Sequence, residues 1–150
     1  MERITYSINI NCPVSKTYET MLDPEHYKTW TAVFNPASRY EGSWEEGSKI
    51  RFIGEDKEGN TGGMLSRIKR NIPNEFISIE HYGILEGDKE ITEGEKVKAF
   101  AGALENYTFK EKDGGTEVIV EFDVDKEWKK YFSTTWPNAL QKLKEVCEAR

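Results

Sequence analysis

The C-terminal stretch Asp125–Arg150, DKEWKKYFSTTWPNALQKLKEVCEAR, constrains this chain more than any other. Trp128, Phe132, Trp136, Leu140, Leu143 and Cys147 recur at spacings of three and four, which puts them on one face of an α-helix. Lys129, Lys130, Gln141, Lys142, Lys144 and Glu145 fall elsewhere on the wheel, where water reaches them. Two tryptophans and a phenylalanine on one stripe carry a large apolar area, and burying it gains about 25 cal/mol per Å². A helix of this kind has to lie on something broad and apolar. The plain reading makes the stripe core; the sharper one has the helix also roof a cavity. Pro137 lacks a helical donor and crowds the turn before it, so a kink or a fresh helix start is expected over Ser133–Trp136.

The rest of the chain supplies a sheet. Arg3–Ile10 alternates, with Ile4, Tyr6, Ile8 and Ile10 on one side and Thr5, Ser7 and Asn9 on the other, as a half-buried strand does. Pro13 or Ser15 opens a short helix whose apolar side is Val14, Tyr18, Met21 and Leu22. Asp23 caps a second short helix with Pro24 at its first position, and Tyr27, Trp30, Val33 and Phe34 form its buried side. From Ser38 onward the pattern is β: Arg39–Glu41, Lys49–Ile53, Gly63–Arg70, Glu75–Tyr82, Ala99–Lys110 and Thr116–Asp125 read as strands. Gly42–Gly47 is a turn around Trp44, and the charged, glycine-containing Gly83–Lys96 reads as a mobile loop. The expected fold is α+β: about six to seven curved antiparallel strands wrapped around a long C-terminal helix, with two short helices after strand one.

The last hairpin shows which polar groups point inward. Val118, Val120, Phe122 and Val124 share the core face of their strand. With a two- or four-residue turn at Asp113-Gly114, Glu111 pairs with Thr116, Tyr107 with Val120 and Glu105 with Phe122. Glu105 and Tyr107 then face the core; a three-residue turn reverses this. His81 shares a face with Ile77 and Ile79, alongside Met64 on the preceding strand and Phe52 on the one before. A buried carboxylate is costly unless it is paired or hydrogen-bonded. Two readings of Glu105 are open: a structural carboxylate held by a hydroxyl, amides or water, or a group in a cavity that addresses a ligand. Trp30, Phe34, Trp44, Phe100, Trp136 and Leu140 would line such a space beside Phe52, Met64 and Phe122.

Composition narrows the classes. A length of 150 residues suits one domain, Met1–Arg150, with a single core, and the formal charge of −6 comes without a basic block. That excludes the electrostatic footprint of nucleic-acid binding. No run approaches the roughly 20 apolar residues of a membrane span, and no signal peptide is visible, so a cytoplasmic location is expected. Cys12 and Cys147 are the only cysteines and His26 and His81 the only histidines, without metal-ligand spacing. Free thiols, and no cofactor or metal, are expected. Phosphate-loop, Ser-His-Asp and HExxH signatures do not occur.

Several strings carry a resemblance: Pro13–Tyr18 (PVSKTY), Glu41–Ile50 (EGSWEEGSKI), Leu104–Thr108 (LENYT) and Trp136–Lys144 (WPNALQKLK). With the order of elements, they make the chain resemble the START-like, or SRPBCC, helix-grip proteins over nearly its whole length. Within that group it looks like the AHSA-like branch, related to the activator of the 90-kDa heat-shock chaperone's ATPase. The resemblance implies a cavity between sheet and terminal helix for a small apolar or amphipathic molecule. It also implies lesser alternatives: a cyclase- or aromatase-type enzyme in the same cavity, or a chaperone-interacting module. The eukaryotic chaperone activators carry an additional N-terminal domain that is not among these residues, which makes chaperone contact the weaker expectation. No catalytic residue transfers from the cyclase members. The expected function is therefore binding without catalysis, with Glu105, Tyr107 and His81 orienting the ligand.

Overall fold

A computed structural model describes all residues, Met1–Arg150. The elements run β1 (Glu2–Ile10), α1 (Val14–Leu22), α2 (Pro24–Thr31), β2 (Arg39–Gly42), β3 (Lys49–Glu55), β4 (Thr61–Ile72), β5 (Phe76–Glu86), β6 (Lys89–Ile91), α3 (Glu95–Lys98), β7 (Leu104–Lys112), β8 (Gly115–Val124) and α4 (Lys126–Glu148). One eight-stranded antiparallel sheet has the order β1-β8-β7-β5-β4-β3-β2, with β6 paired to the far half of β5. The fold is the α+β helix-grip arrangement that the resemblance implies, with eight strands where six to seven were expected.

Local chemistry explains the framework. Asp23 accepts from the Glu25 and His26 amides and Pro24 occupies the first turn, so α2 starts where its cap dictates. Asp113 and Gly114 both take positive φ, 52° and 81°. That is the two-residue turn whose twist matches a hairpin. It fixes Glu111 opposite Thr116, Tyr107 opposite Val120 and Glu105 opposite Phe122. The inward set of β8 is buried from Thr116 to Val124.

Helix α4 lies against this face. Trp136, Ala139, Leu140, Leu143 and Cys147 are at most 4 % exposed and join Val118, Val120, Ile77, Ile79 and Trp30 in one cluster. The helix continues through Pro137 without the expected new start. Pro137 is exposed, as is Ser133, whose carbonyl would have received the missing bond, so water satisfies it at little cost. Trp128 departs from the expected stripe: it is 53 % exposed and packs edge-on against Tyr131 at the start of the helix.

Two other expectations need correction. Gly83–Lys96 is not a loop: β5 extends to Glu86, β6 returns along it, and α3 follows. Gly83 permits the pairing, since a Cβ there would come within 2.8 Å of the Ile91 carbonyl oxygen. The strand expected from Ala99 begins at Leu104, which leaves Phe100 on the connection from α3.

Candidate functional site

The concave face of the sheet does not close fully on α2 and α4. A cavity of about 440 Å³ remains between them, within the usual range for small-molecule sites. Its wall is largely aromatic: Tyr27, Trp30 and Phe34 come from α2 and its end, Phe52 from β3, Tyr107 and Phe122 from the last hairpin, Phe132 and Trp136 from α4. Trp136 organises the roof, with ring centroids 5.0 Å from Phe34, 5.6 Å from Phe122, 6.0 Å from Trp30 and 6.3 Å from Tyr107.

A polar row runs through this wall and into the core behind it. β4 contributes Ser66, β5 His81, and β7 both Glu105 and Tyr107. The Tyr107 hydroxyl donates to Glu105 Oε2, and His81 Nε2 stands 3.5 Å from Glu105 Oε1. On the far side of the ring, His81 Nδ1 and Ser66 Oγ are 2.7 Å apart. With Ser66 donating to Nδ1, the Nε2 proton faces the Glu105 carboxylate, at a separation too long for a good hydrogen bond. The His81 and Glu105 side chains remain 14 % and 23 % exposed, so both reach the cavity. Ser66 is fully buried behind the ring and does not line the space, which suits a positioning role and rules it out as a nucleophile.

The register places this row. Ser66 pairs with His81 and Leu65 with Gly83, so Tyr82 is an unpaired bulge residue in β5. The bulge changes strand parity: His81 faces inward with Ile77 and Ile79, while Leu85 turns outward to pack with Ile53 and Leu65. Burial, and then the negative charge of Glu105, raise the phenols of Tyr27 and Tyr107 well above their ordinary value. Both therefore stay protonated donors at neutral pH.

Ten of the twelve expected residues meet at the cavity: Glu105, Tyr107, His81, Trp30, Phe34, Phe52, Met64, Phe100, Phe122 and Trp136. Trp44 and Leu140 do not. Trp44 sits on the β2–β3 turn against Tyr40, Tyr27 and Phe52, and Leu140 lies one turn of α4 beyond the roof in solid core. Sequence reasoning missed Tyr27 as a wall residue, although it shares the helical face of Trp30 and Phe34. It also missed Asp123, which faces outward by strand parity yet lines the mouth. Burial pushes the Asp123 carboxyl up, but the Leu104 amide at 2.9 Å and Arg3 at 3.1 Å outweigh it and hold it below its ordinary value.

A second hollow, about 1020 Å³, lies among the β3–β4 and β5–β6 turns. It is open to solvent, and Leu85 is its one apolar lining residue, so it offers little to bury a ligand against. No group of three or more His, Cys, Asp or Glu side chains could hold a metal ion.

Among known structures, the fold matches the solution structure of the Aha1 dimer from Colwellia psychrerythraea with TM-score 0.70 and 19 % identity, covering 99 % of this chain and 97 % of that one. Protein NE0264 from Nitrosomonas europaea matches with TM-score 0.74 and 14 % identity over 98 % and 94 % of the two chains. CalU16 from Micromonospora echinospora matches with TM-score 0.66 and 16 % identity over 96 % and 73 %. At these identities the likeness is one of fold. No curated protein matches the sequence. The family described as "Activator of Hsp90 ATPase homolog 1-like protein" matches residues 11–148, which takes in every element from α1 to α4. The chain belongs to that family.

Proposed function

We propose that the protein binds a small apolar or amphipathic molecule in the cavity between sheet and α4, without transforming it. The observation that carries this reading is a carboxylate, Glu105, presented with its Tyr107 and His81 partners into an otherwise aromatic space of about 440 Å³. Glu105, Tyr107 and His81 orient the ligand's polar end. Trp30, Phe34, Phe52, Met64, Phe100, Phe122 and Trp136 take its apolar body. No helix is long and apolar enough to cross a membrane. The two free cysteines support a reducing compartment, and the cytoplasm is the proposed location.

Native mass spectrometry of protein purified gently from its own cells tests the proposal. The expected result is a small-molecule adduct that is lost when Trp136 and Phe122 are both replaced by alanine. A chain that carries nothing, and that fails to bind the uncharged hydrophobic dye Nile red, overturns it.

Family membership and a surface feature favour a second reading, contact with a chaperone. Trp128 and Met1 are exposed at the cavity mouth, and the exposed Tyr131 reaches the Phe34 carbonyl there, which makes an apolar rim. Stimulation of a 90-kDa heat-shock chaperone's ATPase by the intact chain, lost on Trp128→Ala, is the result this reading expects.

A further inference from the structure

We infer that the cavity selects a ligand with a positive charge, a hydrophobic amine or quaternary ammonium, over the corresponding carboxylic acid. The inference rests on the cavity-binding reading and adds the chemistry of the ligand's polar end.

The charges around the space lie on one side of the ledger. Glu105, Asp123 and Asp125 line it, His81 is the one basic side chain in the wall, and neither lysine nor arginine contributes. Of the nearby cations, Arg3 is bound to Asp123 at 3.1 Å and Lys129 to Glu2 at 2.9 Å, the Met1 ammonium at the mouth acts on Asp123, and Lys126 follows Asp125 without lining the space. The first turn of α4, whose amides would otherwise attract an anion, carries Asp125 at its cap and Glu127 just inside. A carboxylate ligand would therefore meet three carboxylates, with no lysine or arginine in the wall to bind it and only His81 and the Met1 ammonium at the mouth to offset the repulsion.

A cation meets the opposite. Glu105 has Tyr107 on one oxygen, whereas His81 Nε2 at 3.5 Å from the other is beyond a good hydrogen bond, so that oxygen keeps acceptor capacity toward the cavity. The rings of Tyr27, Trp30 and Trp136 line the same space, and aromatic rings attract cations through their quadrupoles. A carboxylate backed by aromatic walls is the chemistry that recognises alkylammonium groups. The formal charge of −6 draws cations toward the protein at longer range.

The test uses the intact chain loaded with Nile red at neutral pH and constant ionic strength. Three competitors share one apolar body: phenylbutylamine, phenylbutanol and phenylbutyrate. The amine should displace the dye at a concentration at least about tenfold lower than the carboxylate, with the alcohol between them. Glu105→Gln should bring the ratio of amine to alcohol competition toward one, whatever it does to the alcohol itself. Should that variant not fold, the ranking on the wild-type chain decides. Equal or better competition by phenylbutyrate, with the alcohol active, overturns the charge inference and leaves the binding reading standing. No dye binding and no displacement by any of the three overturns both.

Discussion

Tyr107 and Glu105 stand two residues apart on β7, on the same face of the sheet, and the tyrosine hydroxyl donates to the carboxylate. A strand carries such neighbours roughly 7 Å apart along its axis, so the pair forms because the phenol leans back over its own strand. The pairing gives a partly buried negative charge a donor from a side chain that is itself 2 % exposed. It also locks the polar wall of the cavity to the β7–β8 hairpin.

Tyr107→Phe therefore removes a hydrogen bond to a charged group while keeping the ring against Trp136. The expected loss is about 1–3 kcal/mol of unfolding free energy. Urea denaturation with an unchanged slope would show that the loss lies in stability and not in a looser native state. A variant as stable as wild type would mean that Glu105 finds water in place of the phenol.

The two halves of α4 should answer differently to the same substitution. Trp136 is 4 % exposed and touches four other aromatic rings, so Trp136→Ala should cost about 3–5 kcal/mol. Trp128, at 53 % exposure, should cost less than about 0.5 kcal/mol when replaced by alanine. Thermal melts of the two variants side by side check the contrast.

That contrast also shows what could be read from the chain itself. Helical spacing put both tryptophans on one stripe, and from Phe132 onward the stripe is the buried face. Spacing carries no information about where the packed core beneath ends, and Trp128 stands exposed at the mouth of the cavity. The inward parity of Glu105 and Tyr107 was legible because Asp113-Gly114 admits the two-residue turn that fixes the register. His81 faces inward with Ile77 and Ile79 as its strand parity implies, but the bulge at Tyr82 beyond it leaves no mark in the alternation. The β6–α3 segment was misread for a related reason. It is charged, and the few apolar residues that fold it down, Leu85 and Val97, are separated too widely to show a period. Trp44 looked like a cavity wall because residue type cannot reveal which way a turn presents its side chain.

The cysteines give a pH prediction. Both are free and buried, and burial, then the neighbouring Cys12, push the Cys147 thiol from 9.0 up to about 11. The native state thus holds this proton more tightly than the unfolded chain. Its contribution to stability is fully present below about pH 9 and is lost as the pH rises toward about 11. Wild type should lose stability faster than Cys147→Ala across that window, whatever their absolute difference at neutral pH. Parallel curves would show that the thiol reaches solvent in the folded protein. A thiol count without reductant, on the denatured chain, should give two.

Ser66 is the group behind the polar row, and its role can be separated from bulk packing. It is fully buried, touches no part of the cavity, and holds His81 Nδ1 at 2.7 Å. If it donates to Nδ1, it fixes the tautomer whose other proton points at Glu105. Ser66→Ala removes that donor and leaves a nearly isosteric methyl group, so the fold should survive with a loss of about 1–3 kcal/mol. The informative readout is the ring itself. Nitrogen-15 NMR of His81 should show the proton on Nε2 in the wild type at neutral pH. In the variant it should show exchange between the two tautomers, as Nδ1 is freed. Ser66→Thr, which keeps the hydroxyl, should restore the wild-type pattern if the extra methyl is accommodated beside Ile68. A wild-type ring spectrum in Ser66→Ala would mean that Glu105 alone sets the tautomer, and that Ser66 is merely a hydroxyl seeking a partner in the core.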